Sequence, residues 1–302
     1  MAGETSGISN KIQVLKETAY DDGGEAGEKV FGVTKSFSWR SETTTVQSYG
    51  LETDGPQATV NIDGVLVFSG THEFELTTGK VFEAILGDIT GDDVRVTKVL
   101  PSYAVKAVDE GGETERQILI SGIKYSKFSV NIARGSPITV TADWVGRKIV
   151  NTGTFNPTEA TVEPLIAEDA YILTGTAPES GLDNVTLEID RGSEGVRFLE
   201  ATTSGNRRLI SKVIEKILAI TANGAFTGQR SILEKTFGST TIQDLRTDEN
   251  QTIKIKRGDI EIDINLTGAR TIMAEADYNK ENDLSLINFD MIAKNVEIDA
   301  AD

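Results

Sequence analysis

The chain has 302 residues, enough to bury one large core or two ordinary ones. It lacks cysteine, which removes disulfides, zinc–thiolate sites and cysteine nucleophiles, and no apolar run approaches the ~20 residues that span a bilayer. With 30 basic against 47 acidic residues the net charge is −17, a balance that repels phosphate and argues against nucleic-acid binding.

Two readings of the acidity stand at this point: solubility, including adaptation to a salty cytoplasm, and a surface built not to hold DNA. The opening Met1-Ala2-Gly3-Glu4-Thr5 has neither the basic start nor the apolar core of a signal peptide, so a cytoplasmic origin is expected.

Residues 1–30 are rich in glycine and acid, with Asp21-Asp22-Gly23-Gly24-Glu25 in the middle, and predict a flexible arm. Within it Ile8, Ile12 and Val14 share one parity beside Leu15, the pattern of a short strand that adds to a partner. A strand is predicted over 34–40, with Phe37 and Trp39 on one face. Residues 58–76 alternate through Val60, Ile62, Val65 and Val67 to Phe74 and Leu76, with Gly64 and Gly70 as bend or bulge positions. Thr77-Thr78-Gly79 then opens a short helix, Lys80 to Leu86, stopped by Gly87. Further strands are expected over 118–132 and 138–145, joined by Arg134-Gly135-Ser136-Pro137. Residues 151–170 read as a join. Beyond it come strands over 185–191 and 210–222, a helix over 229–237 stopped by Gly238, and strands over 251–256 and 260–266. A last strand is expected through Leu286, Phe289, Ile292 and Val296.

The second half repeats the first. Residues 34–87 lie over 184–238, with Phe37 on Leu187, Trp39 on Ile189, Val46 on Val196, Val81 on Ile232, Phe82 on Leu233 and Gly87 on Gly238. A third block places Ile138, Val140, Ala142 and Trp144 on Ile260, Ile262, Ile264 and Leu266, and Gly146 on Gly268. Such self-similarity implies two copies of one supersecondary unit. A chain with two like halves suits a ring, since each half offers its neighbours a similar interface.

A search for catalytic chemistry finds little. The single histidine, His72, lies in a predicted strand and reads as a surface or interface residue rather than a catalyst. There is no Gly-x-Ser-x-Gly elbow, no glycine-rich phosphate loop and no histidine pair for zinc. Asp88, Asp92 and Asp93 resemble part of a calcium loop without its terminal bidentate glutamate, and Asp109, Glu110, Glu113 and Glu115 resemble a solvated hairpin tip. Arg207, Arg208, Lys212 and Lys216 suit either an anion or, in so acidic a chain, the carboxylates of a neighbouring copy. No catalytic, cofactor-binding or metal residue is assigned and the chain is expected not to be an enzyme.

Phe31 to Arg40, followed by Tyr49-Gly50-Leu51, resembles the start of a tail tube protein from a tailed virus of bacteria or archaea. The glycine-containing hairpin 61–76, the helix ending Leu86-Gly87 and the run Leu100-Pro101-Ser102-Tyr103 continue the resemblance. So do Gly122 to Asn131 and, most of all, Arg134 to Lys148. It covers roughly 12–150 closely and the second half loosely, which lacks the Tyr-Gly-Leu turn and the proline.

The resemblance implies a mainly β chain: a duplicated β-sandwich or split barrel with one short helix per half, whose inner sheets close into a β-barrel in the assembled ring. It divides the chain into an arm 1–30 for contacts between rings, a first tube-like domain 31–150, a linker 151–170 and a second domain 171–302. The partner implied is the chain itself, in stacked rings: trimeric and pseudo-hexameric as the favoured form, hexameric as the alternative. Tail tip or baseplate, tape measure and terminator proteins are further implied partners, and the location is the virion tail. Genomic DNA then passes through without specific binding, and the acidity suits a lumen wall. A competing reading is an acidic two-domain β-sandwich for carbohydrate or cell-surface attachment. Such a module displays exposed aromatics, whereas Trp39 and Trp144 both fall in alternating, core-like positions.

Overall fold

The computed structural model describes residues 10–21, 31–48, 60–109, 116–151, 163–167, 171–174, 177–179, 182–196, 212–215, 218–227, 248–257, 260–278 and 285–301. The chain is mainly β. Its strands are β1 (Asn10–Lys16), β2 (Val33–Ser48), β3 (Val60–Glu75), β4 (Gly87–Thr90), β5 (Asp93–Val96), β6 (Tyr103–Asp109), β7 (Arg116–Ala133), β8 (Thr139–Gly146) and β9 (Lys148–Asn151). They continue with β10 (Tyr171–Thr174), β11 (Ala177–Glu179), β12 (Leu182–Asp190), β13 (Glu194–Val196), β14 (Lys212–Ile214) and β15 (Ala219–Thr227). The last are β16 (Glu249–Arg257), β17 (Ile260–Tyr278), β18 (Ser285–Ala293) and β19 (Asn295–Ala301).

Eight strands make one antiparallel sheet in the order β2–β3–β8–β7–β12–β15–β18–β17. The two halves of the chain meet inside it, where β7 pairs with β12 from Ala133 opposite Asn184 to Lys127 opposite Asp190. β7 and β17 are long enough to serve two sheets. The first part of β7 leaves to pair with β6 and β9, and the first part of β17 leaves to pair with β16 and β19. These outer sheets pack over one face of the eight-stranded sheet. The buried apolar cluster between the layers is continuous, from Phe74, Phe128 and Trp144 through Leu187 and Ile189 to Ile264 and Phe289.

The predicted helix forms as a 3-10 turn, Gly79–Phe82, running into α1, Glu83–Leu86. Thr78 caps it by accepting from the Lys80 N–H at 3.1 Å, and Gly87 ends it at φ 113°, a left-handed conformation natural to glycine. Val81, Phe82, Ile85 and Leu86 are all buried. Gly79 sits so close to Ala300 that an added Cβ would come within 2.6 Å, so this turn of the first half packs on β19 of the second.

Several expectations change. Ile12, Val14 and Leu15 do belong to a strand, but β1 pairs with β6 of its own chain, from Asn10 opposite Asp109 to Lys16 opposite Tyr103. The next turn is locked in place as well. Glu17 accepts from the Gly122 N–H at 3.0 Å, and Asp21 accepts from Ser121 Oγ and, at 2.7 Å, from Arg147 Nη1. Removing residues 1–28 would therefore strip β1 from β6 and take buried Val14 and Leu15 out of the core. The tail forms two strands rather than one. The chain breaks at Lys294, whose N–H donates to the Thr267 carbonyl at 3.0 Å, and the buried positions are Phe289, Met291, Val296 and Ile298. The span 210–222 resolves into β14 and the start of β15.

The third matched block fails for a topological reason. β8 lies in the eight-stranded sheet between β3 and β7, whereas Ile260 to Leu266 pair with β16 and β19 outside it. Any two alternating strands match by parity, so alternation alone does not identify which strand corresponds to which. The helix expected over 229–237, Tyr49 to Leu51, the tip 110–115 and most of the join 151–170 lie outside the described residues.

Candidate functional site

From β3 to β15 buried and less buried positions alternate along the strands of the large sheet, and the cross-strand register aligns the alternation from one half of the chain to the other. One row runs Phe37, His72, Ala142, Phe128, Ile189 and Ile220, and the next apolar row contains Phe74, Val140, Val130 and Leu187. All of these but Phe37, which is partly buried, are buried against the outer sheets.

Between them lie rows of a different character. Ser36, Glu73, Thr141, Ser129, Glu188 and Thr221 stand side by side across six strands. On one side of that row come Ser38, Thr71, Asp143, Lys127 and Asp190. On the other come Glu75, Thr139, Asn131, Thr186, Asn223 and Asp290. These rows carry hydroxyls, amides and carboxylates with the ammonium of Lys127 among them, and they cross the joint between halves without a break; past β15, exposed Ile292 stands opposite Thr221.

The electrostatics of the face are acidic with local offsets. Lys127 Nζ lies 3.0 Å from Glu188 Oε1 across the β7–β12 joint, and Lys35 Nζ lies 2.6 Å from Glu75. Burial moves the Asp143 carboxyl above its usual range, opposed by Lys127 and reinforced by Asp190 and Glu188. A surface of this kind hydrates well and repels phosphate. Its chemistry is that of a wall.

The residues singled out from sequence do not converge on it as a site. His72 is a core residue, 0% exposed, which corrects the surface assignment. Its Nε2 is joined to Thr34 Oγ1 at 3.0 Å and its Nδ1 to Tyr125 Oη at 3.2 Å, inside a cluster with Phe31, Phe37 and Phe74. Burial lowers its pKa to about 3, so it is neutral near pH 7. Trp144 is buried and stacks on Phe37 at 5.4 Å, as expected, but Trp39 is 46% exposed. Alternation put Trp39 on the right face of β2, yet it stands on the edge strand, where no second layer among the described residues covers it. Asp88, Asp92 and Asp93 belong to the β4–β5 hairpin. Lys80 lies 3.3 Å from Asp92, and Arg95 donates to Asp93 at 2.8 Å and to Glu297 of β19. Lys212 opens β14, while Arg207, Arg208 and Lys216 lie outside the described residues.

The signal that sequence reasoning missed is the polar half of the alternation. The Ser/Thr/Asn/acid positions of β2, β3, β7, β8, β12 and β15 were legible one strand at a time, but only the register makes them one surface.

Among the described residues the sheet thus has one apolar face under the outer sheets and one face dominated by hydroxyls, amides and carboxylates, an architecture without a catalytic constellation. The chain belongs to the phage tail tube protein family, which it matches over residues 7–293. It is thus a structural component of a viral tail tube. A comparison with curated protein sequences finds no significant match.

Proposed function

We propose that copies of this chain join edge to edge into rings of three, that the rings stack as the tail tube, and that the polar face of the eight-stranded sheet lines the lumen. The single observation that carries this reading is the polar face itself, continuous across both halves of the chain. A carboxylate- and hydroxyl-lined wall lets DNA pass without adhering, because it has no array of cations to replace the counterions of the phosphates.

The number three rests on duplication. In the first half the pairings run β1–β6, β6–β7, β7–β9, β7–β8, β8–β3 and β3–β2. In the second they run β10–β16, β16–β17, β17–β19, β17–β18, β18–β15 and β15–β12, in the same order. Irregularities recur at matching places. Register shifts fall between Thr34 and Ser36 and between Leu182 and Asn184, and again between Tyr125 and Lys127 and between Thr271 and Met273. Gly122 at φ 66° and Gly268 at φ 62° both sit where the long strand leaves the large sheet. On this correspondence β18, not β17, stands where β8 does, and Phe37 and Trp39 match Val185 and Leu187, two residues from the sequence match. The units are 31–150 and 171–302 with 151–170 between them, and three chains then present six equivalent units. Stacking is assigned to the residues ahead of β1 and to loops. The tube's further contacts are with tail tip or baseplate, tape measure and terminator proteins, in the virion tail.

Electron microscopy of the purified protein at high concentration, with polymers viewed end-on, tests the reading. Hollow stacked rings with threefold symmetry are expected. Sixfold symmetry would replace the ring of three with a ring of six chains, and monomers at every salt concentration would remove the self-assembly reading.

A further inference from the structure

The large sheet has two ends. β2 pairs with β3 on one side, and residues 273–278 of β17 pair with β18 on one side; among the described residues no strand pairs with the other edge of either. An open edge exposes a row of backbone donors and acceptors and invites another strand. Inside the chain the matching edges have already met. β7 corresponds to β17 and β12 to β2, and β7 is paired with β12.

We infer that the open edge of β17 pairs antiparallel with the open edge of β2 in a second copy, in the register that β7 and β12 hold within the chain. This deepens the tube reading and rests on it. The repeated register shifts supply the numbering. Lys127 and Met273 are each the first residue past one shift, and Asn184 and Ser36 are each the first past the other. Carrying the observed pairs Phe128–Ile189, Ser129–Glu188 and Val130–Leu187 across places Ala274 opposite Ser41, Glu275 opposite Arg40 and Ala276 opposite Trp39 of the neighbour.

Two independent features of β2 fit this joint. Trp39 is 46% exposed, while its counterpart Leu187, at the closed joint, is 0% exposed. An exposed tryptophan on the apolar side of a sheet edge is what a missing neighbour leaves behind. Arg40 stands in the polar rows, largely exposed, and among the described residues it meets Ser69 Oγ at 3.2 Å and Glu42 at 3.4 Å. The transferred register sets it against Glu275, with Asp277 two positions along, just as the closed joint sets Lys127 beside Glu188 at 3.0 Å. Opposite charge thus marks both joints and, in so acidic a chain, favours this edge over a like-charged one.

Closure follows from geometry. Three copies of the eight-stranded sheet give 24 strands. At about 4.8 Å spacing and about 40° tilt these close on a circle roughly 48 Å across between backbones.

The test uses the absence of cysteine from the chain. The double variant R40C/E275C is assembled into tubes and oxidised gently, and the products are run under denaturing, non-reducing conditions. Within one chain the two positions lie at opposite ends of eight strands, about 34 Å apart, beyond disulfide reach. Cross-linked dimers and a closed trimer as the largest product are the expected result, with the displaced pair R40C/Y278C linking at least tenfold more slowly. Tubes visible by microscopy that yield no cross-link, or that link the displaced pair faster, overturn the register while leaving the tube reading intact. Failure of the unmodified full chain to form tubes under any condition overturns both. To separate loss of assembly from loss of folding, R40E and E275R are measured singly and together. Each alone is expected to raise the concentration needed for assembly, and the pair to restore it; failure of the pair to restore assembly, with all variants folded by circular dichroism, overturns the Arg40–Glu275 contact.

Discussion

His72 illustrates how one residue couples the sheet to the layers above it. It occupies an apolar row, yet carries two ring nitrogens, and both are satisfied by hydroxyls from β2 and β7. The cost of charging the ring there is borne by folding. Unfolded, the imidazole takes up a proton near pH 6.5; folded, it does so only near 3, because burial disfavours the cation. The unfolded chain therefore binds the extra proton throughout that window, and stability falls as pH drops through it, by up to about 1.4 kcal/mol per unit. Substituting H72Q keeps hydrogen-bonding capacity and removes the titration. Between pH 7 and 4.5 the variant is expected to lose roughly 2–3 kcal/mol less than the parent in urea unfolding, by the same linkage. Identical pH profiles for the two proteins would show that this ring does not govern the acid limb.

At the scale of elements, the decisive device is the bend by which β7 and β17 pass from one sheet to another. Each does so at a glycine with positive φ, Gly122 and Gly268, beside a register shift against β6 or β16. The surroundings match as well. A Cβ at Gly122 would lie 2.9 Å from the Arg147 Cβ, and one at Gly268 would lie 2.8 Å from the Lys294 Cδ. If the two units are equivalent, G122A and G268A should each cost about 1–2 kcal/mol, the penalty of a left-handed L-residue. Being far apart in the fold, they should add in the double variant. Thermal and urea unfolding of the three variants checks this, and a neutral change at either glycine would argue against equivalent bends. Sequence placed Gly122 inside a predicted strand and Gly268 just past the end of one. It did not show which glycines carry the bend, since several others punctuate the same pattern.

For the whole molecule the relevant quantity is the sign of the charge on the polar face. Replacing Glu73 and Asp290 with lysine leaves the apolar rows untouched and reverses charge at two positions on that face. If the face lines a tube lumen, E73K/D290K tubes are expected to retain short duplex DNA at low ionic strength and release it as salt rises. Parent tubes should hold none in either condition. Co-sedimentation of labelled duplex with tubes measures both, and variant tubes that ignore DNA at low salt would show that the face points elsewhere.

Composition and alternation carried much of this protein. They determined a β-rich chain without thiols, the helix stopped at Gly87, and most strand positions. The motifs between Phe31 and Lys148 pointed to the family that the match over residues 7–293 then established. These features are local, and local spacing encodes them directly. Register and adjacency are different, because a period of two is satisfied by any strand against any other. Tertiary structure alone decided that β1 closes on its own chain, that β8 lies between β3 and β7, and that His72 is buried while Trp39 is not. It also decided that the polar positions of both halves form one wall, since that depends on β7 meeting β12 in a particular register across 50 residues of intervening chain.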